Sequence, residues 1–255
     1  DLVYQKRELG ENVLELNGMS GHGFSNVNLT VKKGSIVGLT GLQGSGSSEL
    51  LQGLFGAVLV TGGTLKVSGK ECRIHGIQGA MKAGIAMLAS NRKENSVIPD
   101  MSILENMYLS EQVLSARQPL ISAGKERERY EKYKKLLSIK AADPKDPITS
   151  LSGGNQQKVF LARWLNTEAG ILLLDNPTQG IDVGAKAEIY KLILKLADAG
   201  KTILINTLEI PELAKVADCC AVFYEGTIIK MLQHEEIDEK TVMLYSTNAA
   251  QKGES

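Results

Sequence analysis

The chain has 255 residues, 43% of them hydrophobic, and its 29 Lys+Arg balance 29 Asp+Glu to a formal charge of zero. That length can bury a substantial core as one domain with a sub-domain, and the charge balance leaves no basic footprint for nucleic acid or an anionic membrane surface. No apolar run approaches the roughly 18 residues of a membrane span, and no signal-peptide pattern is read.

The first ten residues are polar and read as a linker; the chain opens on Asp1, as an excised fragment or a processed product would. Val13, Leu14 and Leu16, then Val27, Leu29 and Val31, alternate as two short strands on either side of the turn-rich GMSGHGFSN. Residues 36–40 are a short apolar run, the pattern of a buried parallel strand, leading into GLQGSGSS and a helix over about 49–55. Strand, glycine loop and helix in that order is the context of a phosphate-binding loop. Against G-x-x-x-x-G-K-S/T, Gly41 and Gly46 match and Ser48 supplies a hydroxyl for magnesium; Gly44 and Ser45 lie within the loop, and Ser47 replaces the lysine. That lysine is a point charge on the terminal phosphates, and a hydrogen bond to a charged group is worth roughly 1.5–3 kcal/mol, about one to two decades of affinity. The backbone donors and the helix dipole remain, so weakened binding is expected rather than none.

Residues 64–67 and 72–74 read as a further pair of short strands around Gly69, 78–83 as a helix and 85–88 as a core strand. Ser90, Asn91, Arg92 and Lys93 follow as a basic turn. From Met101, SILENMYL reads as a helix, with Ser102 as its cap and Glu105 completing a capping box. Residues 124–135 alternate in charge with Tyr130, Tyr133, Leu136 and Leu137 at helical spacing, a solvated helix with a core stripe. After the proline-bounded loop 143–147 comes LSGGNQQK, residues 151–158, ahead of a helical run over 156–165. Ser152 can cap that helix or bond a phosphate, and Gly153 and Gly154 let a phosphate approach the backbone. No side chain from 152 to 157 is charged, so an anion held there depends on backbone donors, the helix dipole and a cation from another surface.

Residues 171–175, ILLLD, form an apolar run ending in a carboxylate. In a doubly wound sheet ligands sit beyond the carboxyl ends of the strands, which sets Asp175 beside the glycine loop, able to hold magnesium through water. An amphipathic helix over 185–196, a core strand over 202–205 and a hairpin from 221–224 and 226–231 complete the sheet, and the tail after Tyr245 has no packing pattern. Cys72, Cys219 and Cys220 fit neither a disulfide framework nor a zinc pattern, and His22, His75 and His234 are scattered; a reducing cytoplasm is the expected compartment.

LSGGNQQK resembles the signature motif of ABC-type ATPases in the form typical of bacterial sugar importers, and the resemblance spans residues 11 to about 244 with the motifs in family order. PTQGIDVGAK, from 177 to 186, is similar to the sugar-importer D-loop, placing Asp182 at a dimer seam. The implied fold is α/β: a P-loop NTPase of the ABC type with a mainly parallel core sheet, a small antiparallel β sub-domain and a helical sub-domain over about 100–165. The implied domain covers 11–245, between the linker and a tail over 246–255. Three positions depart from the family pattern: Ser47 for the lysine, Asn176 for the catalytic glutamate, and Leu208 where a switch histidine contacts the terminal phosphate. Arg92 and Lys93 match the subfamily, whereas Asn91 departs from it, and no glutamine follows the strand over 85–88. An aromatic residue on the early strands usually stacks on adenine; His22 and Phe24 are the candidates, and neither is assigned.

The form most similar is the second nucleotide-binding half of the fused two-domain ATPases of ribose, galactose and xylose importers. The resemblance implies ATP and magnesium as ligands and a first nucleotide-binding domain, fused in the full chain, as partner. It also implies membrane permease subunits, a periplasmic solute-binding protein acting indirectly, and a peripheral position on the cytoplasmic face of the membrane. Three lapses around one phosphate imply a degenerate site at Gly41–Ser48, while Ser152, Gly153 and Gly154 serve ATP held by the other half in trans. A soluble ABC ATPase outside transport, such as a repair or translation factor, is the competing reading; such proteins tend to carry long insertions or basic arms. A nucleotide-independent dimerisation scaffold is the third.

Overall fold

In the computed structural model the described residues are 2–89, 102–104, 106–107, 123–141 and 143–252. Among these described residues ten strands divide between two sheets: β1 (Asn12–Gly21), β2 (Phe24–Lys32), β3 (Ile36–Thr40), β4 (Val60–Val67), β5 (Lys70–Glu71), β6 (Ile85–Leu88), β7 (Ile171–Asp175), β8 (Thr202–Asn206), β9 (Cys219–Tyr224) and β10 (Thr227–Gln233). The larger sheet runs β10-β9-β3-β8-β7-β6, parallel from β9 to β6, with β10 antiparallel at one edge. The smaller runs β2-β1-β4-β5 and is antiparallel throughout.

The central strands are apolar at almost every position because both faces of the sheet are covered. Alternate residues divide between two cores: Ile36, Leu172, Leu174, Ile203 and Ile205 pack with the helices Gly153–Leu165 and Val183–Asp198. Val37, Leu39, Leu173 and Leu204 pack with the helix Ser47–Leu54 and the smaller sheet. The fold is therefore the expected α/β arrangement, with a mainly parallel core sheet beside a small antiparallel one.

Local differences from the sequence expectation have local causes. The stretch expected as a loop between the first two strands is bulged strand, and only His22 and Gly23 turn. Register shifts follow Leu16 and Met19, Gly18 takes φ 60°, and the Asn28 side chain accepts from Gly18 N at 2.8 Å, so small polar residues still reach the ladder. The second hairpin turns at Ser68 (φ 51°) and Gly69 (φ 77°), pairing Lys70–Glu71 with β4; Cys72 N still donates to Leu65 O at 2.8 Å, but residues 72–74 form no strand.

The helix after the signature serine begins at Gly153, one turn earlier than the side-chain pattern indicates, because Ser152 caps it. Ser102 pairs with Pro147 in an isolated bridge, and the expected capping-box partner Glu105, like the basic turn 90–93, lies outside the described residues. The expected charged helix runs Ala123–Leu136 with Tyr130 fully buried. No helix among the described residues is long and apolar enough to cross a membrane.

All three cysteines are free thiols. Burial pushes the Cys219 thiol up to about 11 and that of Cys220 to about 12. Since the thiolate is the nucleophile, a disulfide reagent at pH 8 should titrate Cys72 alone in the native chain and all three in denaturant. Rapid native reaction of two or three thiols would contradict this burial.

Candidate functional site

The carboxyl ends of β3, β7 and β8 meet around the loop from Gly41 to Ser48, and a cleft of about 550 Å³ opens there. The back of the loop is packed against two hairpins. A Cβ on Gly46 (φ 108°) would lie 2.8 Å from both Gly226 Cα and Gly23 O, and Gly226 N donates to Ser45 O at 2.8 Å. The front is open: a Cβ on Gly44 would meet nothing within 4 Å. Ser45 Oγ is buried without a hydrogen-bond partner, and no side chain caps the helix Ser47–Leu54. Uncapped helical N–H groups behind an open glycine turn suit an anion, and a phosphate chain fits this cradle. Ser47, where a lysine would add charge, is buried and short.

Beneath the loop, Ser48 Oγ donates to Asp175 Oδ2 at 2.6 Å, bringing together the two residues expected at magnesium. Asp175 is 3% exposed, and its other oxygen accepts from Asn206 Nδ2 at 2.7 Å. One carboxylate and one hydroxyl suit magnesium, which fills its remaining positions with water and phosphate oxygens. Among the described residues no cluster of three or more His, Cys, Asp or Glu offers a metal cage. Asn176 follows in a left-handed conformation (φ 44°), tolerated by asparagine, and also lines the cleft. Its carboxamide can orient a water but cannot take a proton.

The signature residues form a separate surface, since Ser152, Gly153 and Gly154 do not line this cleft. Exposed Ser152 accepts at its Oγ from Asn155 N (3.4 Å) and Asn155 Nδ2 (3.0 Å). A Cβ on Gly154 would stand 2.8 Å from Ala185 Cβ, so this glycine lets the signature helix lie against the helix Val183–Asp198. Gln157 Nε2 donates to Pro177 O at 3.0 Å, and Lys158 Nζ pairs with Glu188 at 2.7 Å. Asp182 is exposed, caps its helix through Ala185 N (3.0 Å), and is likewise outside the cleft lining.

The family model described as ABC transporter matches residues 24–179. The chain belongs to the ABC transporter family. Ribose import ATP-binding protein RbsA of Halalkalibacterium halodurans is 40% identical over 239 residues, covering 93% of this chain and 48% of that protein. Arabinose import ATP-binding protein AraG of Vibrio parahaemolyticus is 39% identical over 242 residues, covering 94% and 48%. This ABC chain spans about half the length of the curated relatives it matches. A solved nucleotide-free ATP-binding cassette from an ABC transporter superposes with a TM-score of 0.79 at 22% identity, covering 92% of this chain and 99% of that one. A dimeric cassette bound to ADP and Pi gives 0.74 at 23% identity, covering 87% and 98%. Both likenesses are of fold.

Within this ABC cassette, Phe24 is a core side chain, 2% exposed, which leaves His22 as the exposed ring of the two considered for adenine. Glu209, Thr178 and Lys186 escaped the sequence reading. Glu209 lines the cleft beside Leu208 and accepts from Thr178 Oγ1 at 2.5 Å and from Lys186 Nζ. The carboxylate lies one residue past the aligned switch position, and its partners lie 31 and 23 residues away, so spacing alone carried no signal.

Proposed function

We propose that this chain is the ATP-binding domain of a bacterial importer for a sugar or related solute, and that its two surfaces have different tasks. The observation that carries the reading is the contrast between a complete, Ser152-capped LSGGNQQK and a cleft where Ser47, Asn176 and Leu208 stand at the lysine, glutamate and histidine positions. The import functions named for RbsA and AraG, each about 40% identical, support the solute class.

Gly41, Gly44, Ser45, Gly46, Ser47 and Ser48 would hold the phosphates, and Ser48 and Asp175 the magnesium. Bound magnesium ATP supplies the phosphoanhydride and the charge that links two nucleotide-binding halves. No group at Asn176 can accept the proton of an attacking water, a loss that typically costs 10²- to 10⁴-fold in rate. Ser152, Gly153, Gly154 and Asp182 would act in trans on ATP held by a first nucleotide-binding domain. Permease subunits and, through them, a periplasmic solute-binding protein complete the set of partners, at the cytoplasmic face of the membrane.

Magnesium ATP titrated into the chain by calorimetry, with hydrolysis followed on the same sample, tests this. The expected result is binding without turnover. Absence of binding would leave the scaffold reading, and turnover abolished by Asp175→Ala would overturn the assignment in trans.

A further inference from the structure

Among the described residues, the nucleotide cleft is lined by two ionisable side chains, Glu49 and Glu209, with the carboxylate of Asp175 bonded beneath it, and by no lysine or arginine. A polyphosphate entering such a cleft meets negative charge. Among the described residues, Glu209 is the one of these carboxylates that pairs with a lysine. It comes from the loop after β8, its backbone N donates to Thr207 Oγ1 at 3.0 Å, and Thr178 Oγ1 holds its Oε2. Lys186, in the first turn of the helix Val183–Asp198, bonds Oε1. With both oxygens engaged, Glu209 is a poor replacement for the base missing at Asn176. Its ammonium partner nevertheless stands one hydrogen bond from a cleft-lining atom.

We propose that the Lys186–Glu209 pair sets the affinity of this cleft for the phosphates of a nucleotide. Lys186 cancels a carboxylate that would otherwise repel them, in a site that lacks the usual loop lysine. The inference rests on the reading of the cleft as a nucleotide site and deepens it. Lys186 is thus a positioning and charge-compensating residue acting through Glu209.

The two side chains are 30% and 29% exposed, so water and salt moderate the effect. The test is a charge cycle: Lys186→Met, Glu209→Gln and the double variant, each titrated with magnesium ATP in calorimetry at low and high salt. Lys186→Met should weaken binding about ten-fold, Glu209→Gln should tighten it about three-fold, and the double variant should return to within about two-fold of the parent. These differences should shrink at high salt. A merely structural pair would lose affinity in all three variants, or in none, and either pattern overturns the proposal. Should Lys186→Met fail to fold, tightening by Glu209→Gln alone decides it. A parent chain that does not bind, beside a Glu209→Gln variant that does, would sink the reading of the parent as an ATP binder and uphold this one. If no variant binds, both fall.

Discussion

Replacing Asp175 by asparagine is expected to weaken magnesium ATP binding by about one to two decades while leaving binding measured in EDTA at its own weaker level. The carboxylate lies at the end of β7, bonded to Ser48 at 2.6 Å and Asn206 at 2.7 Å. Loss of one charged ligand costs roughly 1.5–3 kcal/mol, the source of the expected range. The chain should stay folded, because the new amide can turn its oxygen to Asn206 and its nitrogen to Ser48, whose hydroxyl rotates to accept. Calorimetry with excess magnesium and again with EDTA checks this, beside a melting curve as a control for folding. Equal affinities of parent and variant in magnesium would remove Asp175 from the metal site.

Arg163→Met should produce the largest loss of stability. This guanidinium is 3% exposed on the signature helix, and burial lowers its pKa to about 10. Its Nε donates to Asn106 O at 2.8 Å and its Nη2 to Asn106 Oδ1 at 3.3 Å, while Asn166 Nδ2 donates to Met107 O at 3.1 Å. Asn106 and Met107 are thereby tied to the helix that carries LSGGNQQK. A methionine fills much of the volume but removes both hydrogen bonds from the buried guanidinium to Asn106, which costs about 3 kcal/mol. For a chain of this size that is a fall of about 6–12 °C in Tm. Arg163→Lys should recover only part of it, since one ammonium lacks the planar fork. A melting temperature unchanged in Arg163→Met would mean that another donor takes over.

How far the sequence was legible follows from where its pattern met a single constraint. IVGLT, IAML, ILLLD and TILIN each sit between two covered faces, so an apolar run was enough to place β3, β6, β7 and β8. The glycine spacing set Gly41 to Ser48 at the end of β3, and sheet topology then put Asp175 beside Ser48. The first hairpin was misread because Gly18, Ser20 and Gly21, poor strand formers in isolation, are carried into the ladder by bulges. Gly153 and Gly154 have low helix propensity, and only the cap at Ser152 and the contact with Ala185 make them helical. The Thr178–Glu209–Lys186 cluster joins three segments brought together by the sheet, and no local pattern encodes such a meeting.

The polar stretch before Glu11 is fastened to the sheet. Tyr4 donates to Asp218 at 2.8 Å and stacks on His234 with ring centroids 3.5 Å apart, and Arg7 reaches the same carboxylate at 2.7 Å. Asp218 also accepts from Ile36 N at 2.8 Å, at the start of the strand that ends in the glycine loop. In mechanical terms this is a tether riveted at Asp218, with the Tyr4–His234 stack as a second fastening. Tension applied at the N-terminal segment is passed through Asp218 to the start of β3, the strand that ends in the loop at Gly41, and to β9, which follows Asp218 in the chain.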